Sequence, residues 1–224
     1  MSDLPHPVIA IDGTAASGKS TFSRQLAQRL GYVYVNTGAM YRGVTWYLLQ
    51  KKISLEDADA VAREVHAAGV ETRLREGELV FHIAGLDPLS HVREGRVNEG
   101  VSLVAQVAAV RKLLVAEQQG LAALSPLVME GRDIGTVVFP QTPYKFYLDA
   151  SAEVRAQRRH AQGESDVIRQ RDILDQQREH SPLTRAPDAL CLDSGHHSVE
   201  ELIAIALQHL AARGLKMELP KCQK

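Results

Sequence analysis

A chain of 224 residues, 45% of them hydrophobic, can bury one full core, and its length favours a single domain carrying insertions over two independent ones. Twenty-six basic residues nearly balance 27 acidic ones, for a net charge of −1. That balance excludes the basic field of a non-specific nucleic-acid binder and a polybasic membrane-binding run, so the expected partner is a small molecule. A monomer is the expected state.

Residues Met1 to Pro7 carry neither a basic n-region nor an apolar h-region, and no window is long and apolar enough for a bilayer, so a cytoplasmic protein is expected. Val8-Ile9-Ala10-Ile11-Asp12 reads as a short buried strand. It runs into Gly13-Thr14-Ala15-Ala16-Ser17-Gly18-Lys19-Ser20-Thr21, a G-x-x-x-x-G-K-[ST] loop between a strand and a helix. Glycines at its first and sixth positions let successive N–H groups point into one concavity, Lys19 adds a point charge for the β/γ-phosphates, and the Ser20 hydroxyl can ligate Mg²⁺. The helix that follows spans about 19–30 and stops at Gly31.

A second strand, Tyr32-Val33-Tyr34-Val35, leads directly into Asn36-Thr37-Gly38-Ala39-Met40-Tyr41-Arg42. Either these side chains and Arg42 face the phosphates on the first loop, or Asn36 is a helix cap and Arg42 is solvated. Trp46 is expected in helix packing, and Tyr41 fits packing or substrate contact equally. Val70-Glu71-Thr72-Arg73-Leu74 and Leu79-Val80-Phe81-His82-Ile83, joined around Gly77, read as a hairpin. It breaks the strand–helix alternation and so marks an inserted subdomain, continued by a helical stretch from about 91 to 123.

A third sheet strand, Leu127-Val128-Met129-Glu130, is followed by a loop at 131–136 in which Arg132 and Asp133 either serve a site or pair locally. Tyr144-Lys145-Phe146-Tyr147-Leu148 and Ala189-Leu190-Cys191-Leu192 supply two more strands. Between them a helix from about Ala152 carries Arg155, Arg158 and Arg159, and Arg169, Arg171 and Arg178 follow. His160, His180, His196 and His197 show no metal spacing. Cys191 and Cys222 lie outside any C-x-x-C pattern and read as free thiols. Ser198 and Glu201 form a capping box for a helix over 199–213, Gly214 stops it, and 215–224 reads as a frayed tail.

Five strands with crossover helices imply an α/β fold, a five-stranded parallel sheet flanked by helices. Its core takes about 7–36, 124–152 and 185–214, with the insert at about 37–123. Ligands of such sheets lie beyond the strands' carboxyl ends, which gathers the loops 13–21, 36–42, 131–136 and 149 onward.

Several strings together are specific: Ile11-Asp12-Gly13 with its loop, Thr37-Gly38-Ala39-Met40-Tyr41-Arg42, Ser102 with Arg111, Glu130-Gly131-Arg132-Asp133-Ile134-Gly135-Thr136-Val137-Val138-Phe139-Pro140, Arg171-Asp172 with Asp175 and Arg178, and Asp188-Ala189 with Asp193. Through them the chain resembles the bacterial cytidylate kinases of the nucleoside monophosphate kinase family, from about residue 7 to 213. The resemblance implies transfer of the γ-phosphoryl of ATP to CMP or dCMP, giving CDP or dCDP and ADP, with Mg²⁺ held by Ser20 among phosphates and waters.

By that similarity the insert binds the monophosphate, and residues of about 153–184 form a mobile lid. Residues 13–21 with Arg158 would hold ATP. Asn36, Thr37, Arg42, Ser102, Arg111, Arg132, Asp133 and Arg178 would hold CMP, with the Asp133 carboxylate accepting from an exocyclic amine. Lys19, Arg132, Arg171 and Arg178 would carry the catalytic charge. Cations of this kind suit a loose transition state whose charge spreads over equatorial oxygens. The chain departs from the pattern in two places. Gln162-Gly163-Glu164-Ser165-Asp166 is a short connection where many relatives have a longer helical lid, and Asn36 stands where many have an aspartate. Two other readings of the loop at 13–21 stay open: a kinase for a smaller acceptor, and a nucleotide-dependent switch.

Overall fold

In the computed structural model, which describes residues 4–75, 77–160 and 183–216, the strand β1 (Val8–Gly13) is buried at all six positions. It pairs in parallel on both sides, with β5 (Leu127–Glu130) and β6 (Lys145–Asp149). That double pairing, with both faces covered, is why the sequence reads as a continuous apolar run and not as an alternating one. The edges are β2 (Val33–Asn36) beside β5 and β7 (Leu190–Asp193) beside β6, so the all-parallel order is β2–β5–β1–β6–β7. Each strand lies within one residue of its expected place. Gly13, Asn36, Glu130, Asp149 and Asp193 therefore end together at one edge.

Two helices cover one face, α1 (Lys19–Leu30) with Phe22, Leu26 and Leu30, and the last described helix, Val199–Ala212, with Leu202, Ala206 and Leu210. The expected capping box at Ser198 and Glu201 starts that last helix. Its end differs from the expectation of a tail from residue 215. Gly214, at φ +82°, donates to the Ala211 carbonyl and Leu215 N–H to the Leu210 carbonyl, a Schellman turn that packs Leu215 onto the core at 7% exposure.

Between β2 and β5 the chain builds a second core. It takes α2 (Thr37–Gln50), α3 (Ala58–Ala68), the hairpin β3 (Val70–Arg75) and β4 (Glu78–Ile83), α4 (Gly95–Val104) and α5 (Ala108–Leu121). Met40, Leu48, Val61, Phe81, Val110 and Leu114 are fully buried there. Packing around Phe81 is close: a Cβ on Gly43 would sit 2.7 Å from its ring. Removing that ring is expected to cost on the order of 3–5 kcal/mol. The far end of α5, at Leu121, joins Ile134, Val138 and Phe139 on the second face of the sheet, so one helix braces both cores.

The segment 131–136, expected to be a plain loop, instead runs into a π-helix at Ile134–Val138, closed by Val138 N–H to the Asp133 carbonyl and Phe139 N–H to the Ile134 carbonyl. Its entry is tied to β1. Both carboxylate oxygens of Asp12 accept backbone N–H groups, from Ile134 at 2.7 Å and Gly135 at 2.8 Å. The helix α6 (Ala152–His160) begins where expected. Arg169, Arg171, Asp172, Asp175, Arg178, His180 and Cys222 lie outside the described residues.

Candidate active site

At the carboxyl end of β1 only glycine fits position 13, whose φ is +149° and where a Cβ would lie 2.0 Å from the Leu148 carbonyl oxygen. The loop that follows is fixed by short bonds. Thr14 Oγ1 donates to Asp149 Oδ1 at 3.0 Å, Ser17 Oγ to the Thr14 carbonyl at 2.9 Å, and Ser194 Oγ to the Ser17 carbonyl at 2.7 Å. Lys19 Nζ reaches across to the Thr14 carbonyl at 2.5 Å. The N-terminus of α1 has no side-chain cap and no acidic residue in its first turn. Its leading N–H groups and positive dipole end are thus left for an anion.

Two arginines of α6 face this loop. Arg158 Nη2 donates to the Ser194 carbonyl at 2.6 Å, and its Nη1 to Ser194 Oγ at 3.0 Å and the Ala16 carbonyl at 3.4 Å; Arg155 Nη1 reaches the Ala15 carbonyl at 3.5 Å. Neither side chain is therefore wholly solvated.

Beside the loop, Ser20 Oγ donates to Glu130 Oε1 at 2.7 Å, and Tyr34 Oη donates to the same oxygen at 2.6 Å. Burial and the adjacent Glu130 carboxylate push the Tyr34 phenol well up, so it stays a donor. Glu130 Oε2 is buried without a hydrogen-bond partner among the described residues. A hydroxyl, a carboxylate and one uncommitted buried oxygen are the hard donors Mg²⁺ takes when phosphates and waters fill its remaining positions, so Ser20 and Glu130 fit that ion.

From this corner a cavity of about 710 Å³ extends toward the insert. Six cationic side chains line it, Lys19, Arg24, Arg42, Arg93, Arg111 and Arg132, against the two carboxylates Glu130 and Asp133. A chain of net charge −1 has thus concentrated positive potential in one cleft.

Thr37, Arg42 and Ser102 line the cavity, with Arg42 folded over Gly38 and Ser102 buried on α4. Arg132 donates to the Gly13 carbonyl at 2.5 Å, linking the third loop to the first. Arg111 and Asp133 form a salt bridge, both buried, with the guanidinium 5.7 Å from the centre of the Tyr41 ring. Asn36 is the N-cap of α2, its Oδ1 accepting from Ala39 N–H at 2.9 Å, so the cap reading of that residue holds, and it lines the cavity as well.

None of the described histidines lines the cavity. His196 bonds Asp193 at 2.7 Å on an exposed turn, His160 ends α6 exposed, and the described residues contain no metal-holding cluster. Trp46 is buried, stacked on His91 at 4.8 Å.

Sequence reasoning gave no role to Asp12, Glu130, Asp149 or Ser194. Each sits at or one residue from the carboxyl end of a parallel strand, the one signal that could have singled them out. Burial raises the Asp12 carboxyl from 3.8 to about 6, against the lowering effect of the Gly135 and Ile134 N–H groups; Asp133 raises it further and Lys19 lowers it.

A cytidylate kinase of Geobacillus sp. (strain WCH70) is 43% identical over 207 residues, covering 87% of this chain and 92% of that one. A cytidylate kinase of Bacillus thuringiensis (strain Al Hakam) is 40% identical over 206 residues with the same coverage. Among solved structures, a gluconokinase from Sinorhizobium meliloti aligns with a TM-score of 0.49 at 15% identity over 95% of each chain. The cytidylate kinase family model matches residues 9–212, and with relatives this similar over most of its length the chain belongs to the cytidylate kinase family.

Proposed function

We propose that the chain transfers the γ-phosphoryl group of ATP to CMP or dCMP, giving CDP or dCDP and ADP. One observation carries this reading: a single cavity is lined by Lys19 and Ser20 at the phosphate loop, by Ser102 and Arg111 in the insert, and by Asp133 after β5. The names of the curated relatives supply the acceptor class.

In this reading the loop N–H groups and Lys19 bind the donor phosphates, Arg158 braces the loop, and Ser20 with Glu130 would hold Mg²⁺. Mg²⁺ would neutralise charge between the β- and γ-phosphates. Arg42 and Arg132 hold the acceptor phosphate in line, with Asn36 and Thr37 at its side, and Arg171 and Arg178 are assigned further cationic charge for the transferred phosphoryl group by the family resemblance alone. No strong base is required, because a loose transition state needs placement and cations more than proton removal. Ser102, Arg111 and Asp133 read the nucleoside. Asp133 accepts from an exocyclic amine, and a base with a carbonyl in that place would leave the carboxylate facing an acceptor. We take the enzyme to work as a cytosolic monomer on small nucleotides. No described helix is long and apolar enough to cross a membrane.

An ADP-release assay with MgATP and CMP, dCMP, UMP, AMP, dTMP or shikimate tests the reading. Turnover is expected with CMP and dCMP above all others, and indifference to both would overturn it. Asp133→Ala is expected to raise the CMP requirement and to narrow the CMP-to-UMP ratio; an unchanged ratio would remove its role in reading the base.

A further inference from the structure

Four polar groups at the corner between donor and acceptor bond in a single direction. Asn36 is fixed first: its Oδ1 accepts the Ala39 N–H at the start of α2, so Nδ2 must face Tyr34 Oη, 3.2 Å away. An amide nitrogen can only donate. Tyr34 Oη therefore accepts there, and its own proton goes to Glu130 Oε1 at 2.6 Å. An ionised Glu130 can only accept, so the Ser20 hydrogen, directed at that same oxygen from 2.7 Å, is committed as well. The Ser20 lone pairs are then left for the cavity, which Ser20 lines beside Lys19.

Other contacts keep this arrangement in place. Thr37 Oγ1 donates to the Glu130 carbonyl at 2.7 Å, and the Arg24 guanidinium lies 5.2 Å from the centre of the Tyr34 ring. Glu130 Oε2 has no hydrogen-bond partner among the described residues.

We propose that Asn36 and Tyr34 form a one-way hydrogen-bond relay that holds Glu130 so that Ser20 presents a lone pair to the divalent cation of the bound nucleotide. The relay rests on the reading of the phosphate loop as a MgATP site. Tyr34 and Asn36 act in it as positioning residues, through Glu130 and Ser20. The residue at 36 sets its direction. An aspartate there would cap α2 equally well, but it could only accept, and the Tyr34 proton would be contested between two carboxylates.

Calorimetric titration of ADP into wild type, Tyr34→Phe and Asn36→Asp, each with Mg²⁺ and with EDTA, isolates the effect. The gain in ADP affinity that Mg²⁺ confers is expected to fall about tenfold in both variants, the scale typical of groups that orient a metal's ligands. Affinity in EDTA should stay within about twofold of wild type; a purely structural role would move both conditions together. The relay is overturned if either variant keeps the wild-type Mg²⁺ gain, or if wild type shows none. CMP-dependent ADP release by the same wild-type sample separates the two claims: its absence refutes the kinase reading, whereas its presence beside unaltered variants refutes the relay alone.

Discussion

The phosphate-loop end of the cavity is made of backbone held by short bonds, whereas the opposite wall is made of side chains from α2, α4, α5 and the segment after β5. At the first end the groups offered to a ligand are N–H donors and one lysine, which recognise any polyphosphate. At the second end a buried guanidinium and carboxylate neutralise each other. Such a pair costs desolvation on both partners, and what it supplies is a fixed donor–acceptor pattern. The contrast teaches that the general part of the site rests on conformation and the selective part on paired charge.

That contrast predicts different failures at the two ends. The largest effect is expected at Arg111→Met, which leaves Asp133 uncompensated and should lower unfolding free energy by about 3–5 kcal/mol. Denaturant titration measures it, and a loss under about 1 kcal/mol would mean the pair is not buried as charge.

Lys19→Ala should do the reverse. Turnover at saturating substrates should fall on the order of a hundred- to a thousandfold, the scale of losing one preorganised charge donor, with little change in melting temperature. Near-normal turnover would detach Lys19 from the phosphates.

Asp12 joins the two ends, and its effect is on pH dependence. Burial raises the folded carboxyl to about 6 from its ordinary 3.8, so the folded state binds more protons between those values. The stability tied to this group is fully present below about pH 4 and is lost as pH rises through about 6. Asp12→Asn should remove a decline of about 2–3 kcal/mol across that window, read from stability curves of variant and wild type. Parallel curves would show that Asp12 titrates normally.

Smallest of all, Arg158→Ala should raise the ATP requirement about tenfold without altering the CMP requirement, since its bonds brace the loop. An equal rise in both would place Arg158 at the shared centre of the site.

Much of the fold was legible along the chain because its signals are local. A continuous apolar run predicts a buried parallel strand, Ser198 with Glu201 predicts a capped helix, and a glycine between two alternating runs predicts the hairpin. The π-helix at Ile134–Val138 was not legible, because what organises it is a carboxylate on β1. The burial of Leu215 was missed for a related reason: a polar tail masked an apolar residue that the Gly214 turn carries back onto the core.

Sequence by itself determined the phosphate loop, the five parallel strands and, through its resemblance to cytidylate kinases, which residues to seek at the acceptor end. Tertiary structure alone decided which of them touch. Ser20 meets Glu130 across 110 residues of chain, Arg132 reaches Gly13 across 119, and Arg111 pairs with Asp133 across 22. The physical reason is that spacing along a chain encodes period and capping, while a bond between distant residues exists only once the sheet has brought the ends of its strands to one edge.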